Sequence, residues 1–185
     1  VLRGIQYAIL ADKTLEVTQK DYNSDSSYQT TKYSYDYANR LYRTIQPDGS
    51  FTSTNYRPNG TVGSTCDEMG HETDYEYDGL NRMTGKKVPY DNTGGTSTFS
   101  YTSYAYDKAG RMVAQREYLE HLYYEITGTY IETNNTYDGN GNLITVEDSD
   151  GRCVEYQYDL DDQLIQKKVL VSEGVYQTVN YENNY

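Results

Sequence analysis

In the stretch "DGNGN", Asp138, Asn140 and Asn142 put oxygen-bearing side chains at the first, third and fifth places of a loop. That is how a calcium loop begins, but such a loop also needs Gly at its sixth place and Glu at its twelfth. Leu143 and Ser149 stand there instead, so the stretch reads as a Gly-rich turn. Glycoside hydrolysis would need two carboxylates facing each other across a cleft. With 28 Asp and Glu in the chain, pairs arise by chance. The most regular carboxylates recur in copy after copy, which turn formation explains and a repeated catalytic site does not. His71 and His121 belong to no Cys or His cluster at zinc-ligand spacing. No Ser sits in a G-x-S-x-G context. Cys66 and Cys153 occupy different strands of non-neighbouring hairpins and read as two free thiols. The residue types point to a non-enzyme with no cofactor and no metal.

The elements that carry these residues must be built from an unusual composition. Sixteen Lys and Arg against 28 Asp and Glu leave a net charge of −12. That lacks the basic footprint of a nucleic-acid binder and disfavours an anionic membrane surface. No apolar run is long enough for membrane insertion. The chain opens on Val1, as expected for a piece of a longer protein. Leu, Ile, Val and Phe make up about 17% of the residues, below the roughly 20% at which a charged chain is expected to be disordered. Tyrosine offsets this: there are 24, and no Trp. A tyrosine buries a large ring and keeps a polar tip, so tyrosines placed with a period can supply a core.

They are periodic. Taking the Tyr before each turn as an anchor gives Tyr35, Tyr56, Tyr77, Tyr106, Tyr137 and Tyr158, with a further start at Tyr181. The steps are 21, 21, 29, 31, 21 and 23 residues, a 21-residue unit with insertions. One residue on stand Asp36, Arg57, Asp78, Asp107, Asp138 and Asp159; a short carboxylate here can accept N–H bonds from the following turn. Four residues on stand Asn39, Gly60, Asn81, Gly110, Gly141 and Asp162, all types that tolerate a left-handed backbone. Six on, every residue is apolar, from Leu41 to Leu164, and starts the next strand. Tyr33, Tyr75, Tyr104 and Tyr156 lie two before their anchors, on the same face of a strand. A second turn carries Gly49, Gly70 or Gly151. Each unit thus reads as strand, turn, strand, turn.

The expected fold is all-β: tandem antiparallel hairpins forming one long twisted or spiralling sheet. Residues 31–185 hold six phased repeats in a single sheet fragment, and residues 1–30, which lack the motif, form a degenerate hairpin or cap. Insertions at 88–100 and 116–130 lengthen the second turn of two copies, and loops absorb such length cheaply. A short helix near 117–124 is the less favoured alternative. Most anchor rings should pack on one another, whereas Tyr90, Tyr123 and Tyr124 in the insertions are freer to meet a ligand. A fragment with open edge strands is expected to pair edge to edge as a dimer.

The phrases "YAYDKAGRM" (104–112) and "YSYDYANRL" (33–41), repeated in phase, resemble the YD repeat of the Rhs (rearrangement hotspot) family, over roughly residues 31–185. Arg57, Asp162, Asn142 and Gln163 depart from the motif and read as local wear in a structural repeat. The resemblance implies a sheet spiralling into a hollow shell. It implies a secreted or cell-surface bacterial protein of the kind found in polymorphic toxins, insecticidal toxin complexes and wall-associated proteins, and similar to teneurins. The implied role is a scaffold or a shell around a C-terminal toxic domain, with neighbouring repeats as partners. The alternative it implies is a carbohydrate- or surface-binding module.

Overall fold

The computed structural model of the protein describes residues 2–11, 14–23, 27–91, 98–118 and 129–181. Fifteen antiparallel strands succeed one another in a single open sheet in chain order, and no helix occurs among the described residues. The strands are β1 (Leu2–Ile9), β2 (Leu15–Tyr22), β3 (Tyr28–Tyr35), β4 (Leu41–Ile45), β5 (Phe51–Tyr56), β6 (Val62–Cys66), β7 (Glu72–Tyr77), β8 (Met83–Asp91), β9 (Thr98–Tyr106), β10 (Met112–Tyr118), β11 (Tyr130–Tyr137), β12 (Leu143–Asp148), β13 (Cys153–Tyr158), β14 (Leu164–Ser172) and β15 (Val175–Asn180). The contacts divide the chain into two compact units. One is Val1–Arg82 with Lys86–Pro89, the other Met83–Gly85 with Tyr90–Tyr185. The first holds the meander β1 to β7, the second the meander β9 to β15.

Every turn next to an anchor closes in the same way. In the first copy the Asp36 N–H donates to the Arg40 carbonyl and the Asn39 N–H to the Asp36 carbonyl, both at 2.9 Å. This three-residue connection needs a left-handed residue in its last place, four after the anchor. All six residues of that column have it: Asn39, Asn81 and Asp162 at φ of 60–61°, Gly60, Gly110 and Gly141 at 86–101°. The second turn is the same device. Gly49, Gly70 and Gly151 donate to Gln46, Asp67 and Asp148, and the N–H groups of those residues close onto Ser50, His71 and Arg152. The two turns look different in sequence because the carboxylate sits at the first place in some copies (Asp67, Asp148) and at the third in another (Asp48).

The strands leaving the two turns pair differently. After an anchor turn the pairing slips by one residue. Tyr35 faces Leu41 while Ser34 faces Arg43, leaving Tyr42 as a bulge. The slip recurs at Gly63, Val113, Ile144 and Ile165. The second turn has no slip after it: Ile45, Thr44 and Arg43 face Phe51, Thr52 and Ser53 in step. A bulge bends its strand and increases the local twist. It also moves the residue nine after the anchor onto the tyrosine face, so Tyr33 pairs with Thr44 and Tyr156 with Lys167.

The N-terminal hairpin proves to be a further copy of the same unit. Leu10 N–H donates to Thr14 O and Ile9 pairs with Leu15, as Asp36 relates to Arg40 and Tyr35 to Leu41. Ile9 therefore occupies the anchor position and Tyr7 the place two before it. This copy lacks the bulge: Ala8 pairs with Glu16 without a slip. Insertions lengthen strands as well as loops. β8 and β9 have nine residues each, against five in β4. On the lengthened strands Tyr101, Tyr118 and Tyr130 face one another in a row, with ring centroids 5.6 and 5.3 Å apart.

A single layer cannot enclose a core. Among the described residues no large side chain is fully buried; Phe99, Tyr101, Ala114, Ser34 and Ser64 are the most covered. The anchor rings are half-buried. Ring-to-ring contacts join Tyr22 to Tyr28 and Tyr118 to Tyr101 and Tyr130, none of them an anchor.

Candidate functional site: the junction between repeats

The site that recurs is the junction at which one copy meets the next, and it is built outward from the turn carboxylate. Asp36 Oδ1 accepts the N–H groups of Ala38 and Arg40, each at 2.9 Å, and Oδ2 accepts Arg40 Nε at 2.8 Å. Asp78 binds Leu80 and Arg82 in the same way, and Asp107 binds Ala109 and Arg111. Asp138 collects Asn140, Gly141 and Asn142, and Asp159 collects Asp161 and Gln163. These bonds favour the ionised form. The Arg40 side chain, then its N–H, holds the Asp36 carboxyl below the usual carboxylate range. The Arg82 side chain and N–H act likewise on Asp78, and the Arg111 N–H and side chain on Asp107.

The arginine held in this way reaches the next copy. The Arg40 guanidinium lies over the Tyr56 ring at 4.3 Å, and that of Arg111 over Tyr137 at 4.7 Å, cation–π contacts. The ring's hydroxyl then ties back. Tyr56, Tyr106, Tyr137 and Tyr158 donate to the carbonyls of Leu41, Met83, Met112 and Leu143, at 2.7 to 3.0 Å. Each acceptor is the apolar residue six after the previous anchor. Where Arg is missing, amides bridge the turns instead: Asn140 and Asn142 both donate to Asp162 Oδ1, at 2.8 and 2.7 Å. Removing only the hydroxyl, in Tyr106→Phe, should cost about 1 kcal/mol, the net worth of one such bond plus a stranded carbonyl. A urea midpoint unchanged by this substitution would show that the bond does not form in solution.

The tyrosines two before the anchors support these rings. Tyr33 pairs with Val17 and Thr44, and Tyr75 OH lies 3.4 Å from Thr65 Oγ1. Lys167 Nζ sits 5.8 Å from the centre of the Tyr156 ring. Burial, with the neighbouring Tyr106 and Glu117, raises the Tyr104 phenol above its ordinary range. Tyr158 is raised by burial, Tyr156 and Asp138. Tyr35 pairs with Leu15 and Leu41, and Tyr77 lies under Arg57. Asn39, Asn81, Gly110 and Gly141 supply the left-handed turn places. Tyr90 falls in β8 with its side chain outside the described set, and Tyr123 and Tyr124 lie outside the described residues.

No group of three or more His, Cys, Asp or Glu that could hold a metal occurs among the described residues. Both cysteines are free, and burial, then Glu147 and Glu155, raises the Cys153 thiol. The arrangement offers backbone capping within each turn, and cation–π stacking and lateral hydrogen bonding directed at neighbouring copies. Sequence reasoning passed over the arginine's reach, because Arg40 and Arg111 stand 16 and 26 residues before the rings they meet, with no common spacing. It also passed over the Ile9 copy, whose anchor place holds Ile and whose role shows only in the pairing of Ile9 with Leu15.

These features define an all-β repeat protein, each copy a strand–turn–strand unit bonded to its neighbours through one ring and one turn. Residues 137–169 match the RHS Repeat family. The matched stretch contains the same capped turn, hydroxyl bond and bulge as other copies, so the repeat over these residues is similar to that family. Among solved structures it is similar to a chain of the TcdB2-TccC3-Cdc42 crystal structure, with 14% identity and a TM-score of 0.50 over 97% of this chain and 12% of that one. It is also similar to chains of TcdB2-TccC3-TEV (16% identity, TM-score 0.49) and of TcdB2-TccC3 without the hypervariable C-terminal region (15%, 0.49), with the same coverage. The protein thus spans about an eighth of those chains, and the first likeness is one of fold. No curated protein matches the sequence.

Proposed function

We propose that this chain is a non-catalytic wall segment of a large secreted or cell-surface bacterial YD-repeat protein, forming part of a scaffold or of a shell that encloses a toxic C-terminal domain. The observation that carries this reading is the open, single-layered sheet. Among the described residues β1 pairs only with β2, and β15 only with β14. Each outer strand therefore keeps one row of backbone groups for a neighbour, and an exposed row of this kind invites pairing. Ile5, Tyr7 and Ile9 on β1 are also exposed. Ile9 and Tyr7 hold the positions that later copies cover with the preceding copy's strand. Further repeats are the natural partners of both edges; edge pairing between two copies of the isolated chain uses the same groups.

Hydrogen exchange tests the reading. In a longer protein that carries flanking repeats, the amides of Leu2–Ile9 and Val175–Asn180 should exchange far more slowly than in this chain alone. Equal exchange in both would overturn it. A carbohydrate-binding role has one observation in its favour. The exposed Tyr28 ring stands beside Gln46, Asp48 and Glu68 around a hollow of about 750 Å³, and a ring flanked by polar groups suits a sugar. A glycan array with no bound member would remove that role.

A further inference from the structure

We infer that Arg57, Thr61 and Gly63 form a concerted key that joins the second copy to the third, with Arg57 replacing the arginine that other copies place four residues later. At the position after the anchor, five copies have Asp and this one has Arg57. Four residues on, where Arg40, Arg82 and Arg111 stand in other copies, this one has Thr61. If Arg57 were mere wear, the junction would have lost its guanidinium. The guanidinium is present but arrives from the other position: Arg57 lies over the Tyr77 ring at 5.2 Å and its Nη2 donates to the Tyr75 carbonyl. Tyr77 is the next anchor, the same target that Arg40 and Arg111 find in their own next copies. The turn, deprived of its carboxylate, is capped by Asn59 Oδ1, which accepts from the Thr61 N–H and hydroxyl.

Gly63 is the independent observation. It occupies the bulge position, where the other bulges carry Tyr42, Val113, Ile144 and Ile165. The bulge itself therefore does not require glycine, and Gly63 is not among the residues with positive φ. What sets this copy apart is the neighbour. A Cβ on Gly63 would stand 3.4 Å from Arg57 Cγ, 3.5 Å from its Nε and 3.5 Å from the Asn55 carbonyl oxygen. A single methyl fits at that distance, but the branches of Val or Ile would extend into the path of the Arg57 side chain. Glycine at 63 is thus the space through which a guanidinium from position 57 crosses to Tyr77. The three substitutions belong together, and they give this junction a pairing chemistry different from its neighbours.

The test uses a sign reversal. Glycine in a strand is normally a weak point, so a β-branched replacement at a bulge that tolerates it elsewhere should stabilise. The key requires the opposite: Gly63→Val lowers the melting temperature of the full chain, because it displaces Arg57. In an Arg57→Ala background, where nothing is left to displace, the same Gly63→Val raises it. Such non-additivity marks residues that act through one another. The triple exchange Arg57→Asp, Thr61→Arg and Gly63→Val, which installs the common pattern, should recover the wild-type melting temperature. If unfolding obscures the melting comparison, the resonance of a fluorinated Tyr77 reports directly. It should move in Gly63→Val to where Arg57→Ala places it. The same sign for Gly63→Val in both backgrounds, or a Tyr77 resonance that Gly63→Val leaves in place, would overturn the inference.

Discussion

Replacing Gly110 by valine destabilises the protein by about 1–2 kcal/mol, the cost of forcing a β-branched residue into a left-handed backbone. Gly110 has a φ of 86° and its N–H closes the turn onto the Asp107 carbonyl. Valine there must either keep the strained conformation or open the turn. Opening it would release the Ala109 and Arg111 N–H groups from Asp107 and loosen Arg111 from the Tyr137 ring. One substitution would then weaken a junction as well as a turn. Asparagine supplies the matched control, since Asn39 and Asn81 fill the same place in other copies at φ of 61°. Gly110→Asn should be far milder than Gly110→Val in the same chemical denaturation. Equal effects of the two would mean that the turn does not hold its left-handed residue in solution.

Acid should unfold the protein through the same turns. Asp36, Asp48, Asp67, Asp78, Asp107 and Asp138 all titrate below the ordinary value of 3.8. Bonds from Arg side chains, Ser50, His71 and turn N–H groups are responsible, and at Asp138 those bonds outweigh an opposing effect of burial. The sign comes from proton counting. With its carboxyl pKa values depressed, the folded chain binds fewer protons than the unfolded chain near and below pH 4. The stabilisation is complete above the unfolded value and is lost as pH falls through the lower folded values. The melting temperature should therefore be flat from neutrality to about pH 5 and then drop progressively below about pH 4. The contribution repeats in turn after turn, so the drop is spread over several copies. Asp107→Asn distinguishes the cause: less stable than the wild type at neutral pH, it should converge on the wild type as the pH falls through the depressed folded value of Asp107. A gap between the two that stays constant with pH would assign the acid effect elsewhere.

The turns were legible in the sequence because they are local. A carboxylate at Asp36, a left-handed residue at Asn39 and an apolar restart at Leu41 lie within six residues, and the bonds that unite them span four or fewer. The alternation that puts Tyr33 and Tyr35 on one face is equally local, and together these patterns determined an all-β chain of repeated hairpins. The second turn was harder to read, since its carboxylate moves between Asp48 and Asp67 or Asp148 while the backbone closure stays the same.

What only the tertiary structure decided lies between copies. Tyr158 reaches Leu143, Arg40 reaches Tyr56, and Asn140 reaches Asp162, over separations of 15 to 22 residues. Which side chains meet across such gaps depends on the one-residue slip after the turns at Tyr35, Tyr56, Tyr106, Tyr137 and Tyr158, and a slip of one residue exchanges the faces of a strand. No residue type marks that slip, because Tyr, Gly, Val and Ile all occupy it. For the same reason Ile9 could not be read as an anchor, nor Arg57 as a junction residue: the contacts that give them those roles exist only once neighbouring strands are in register.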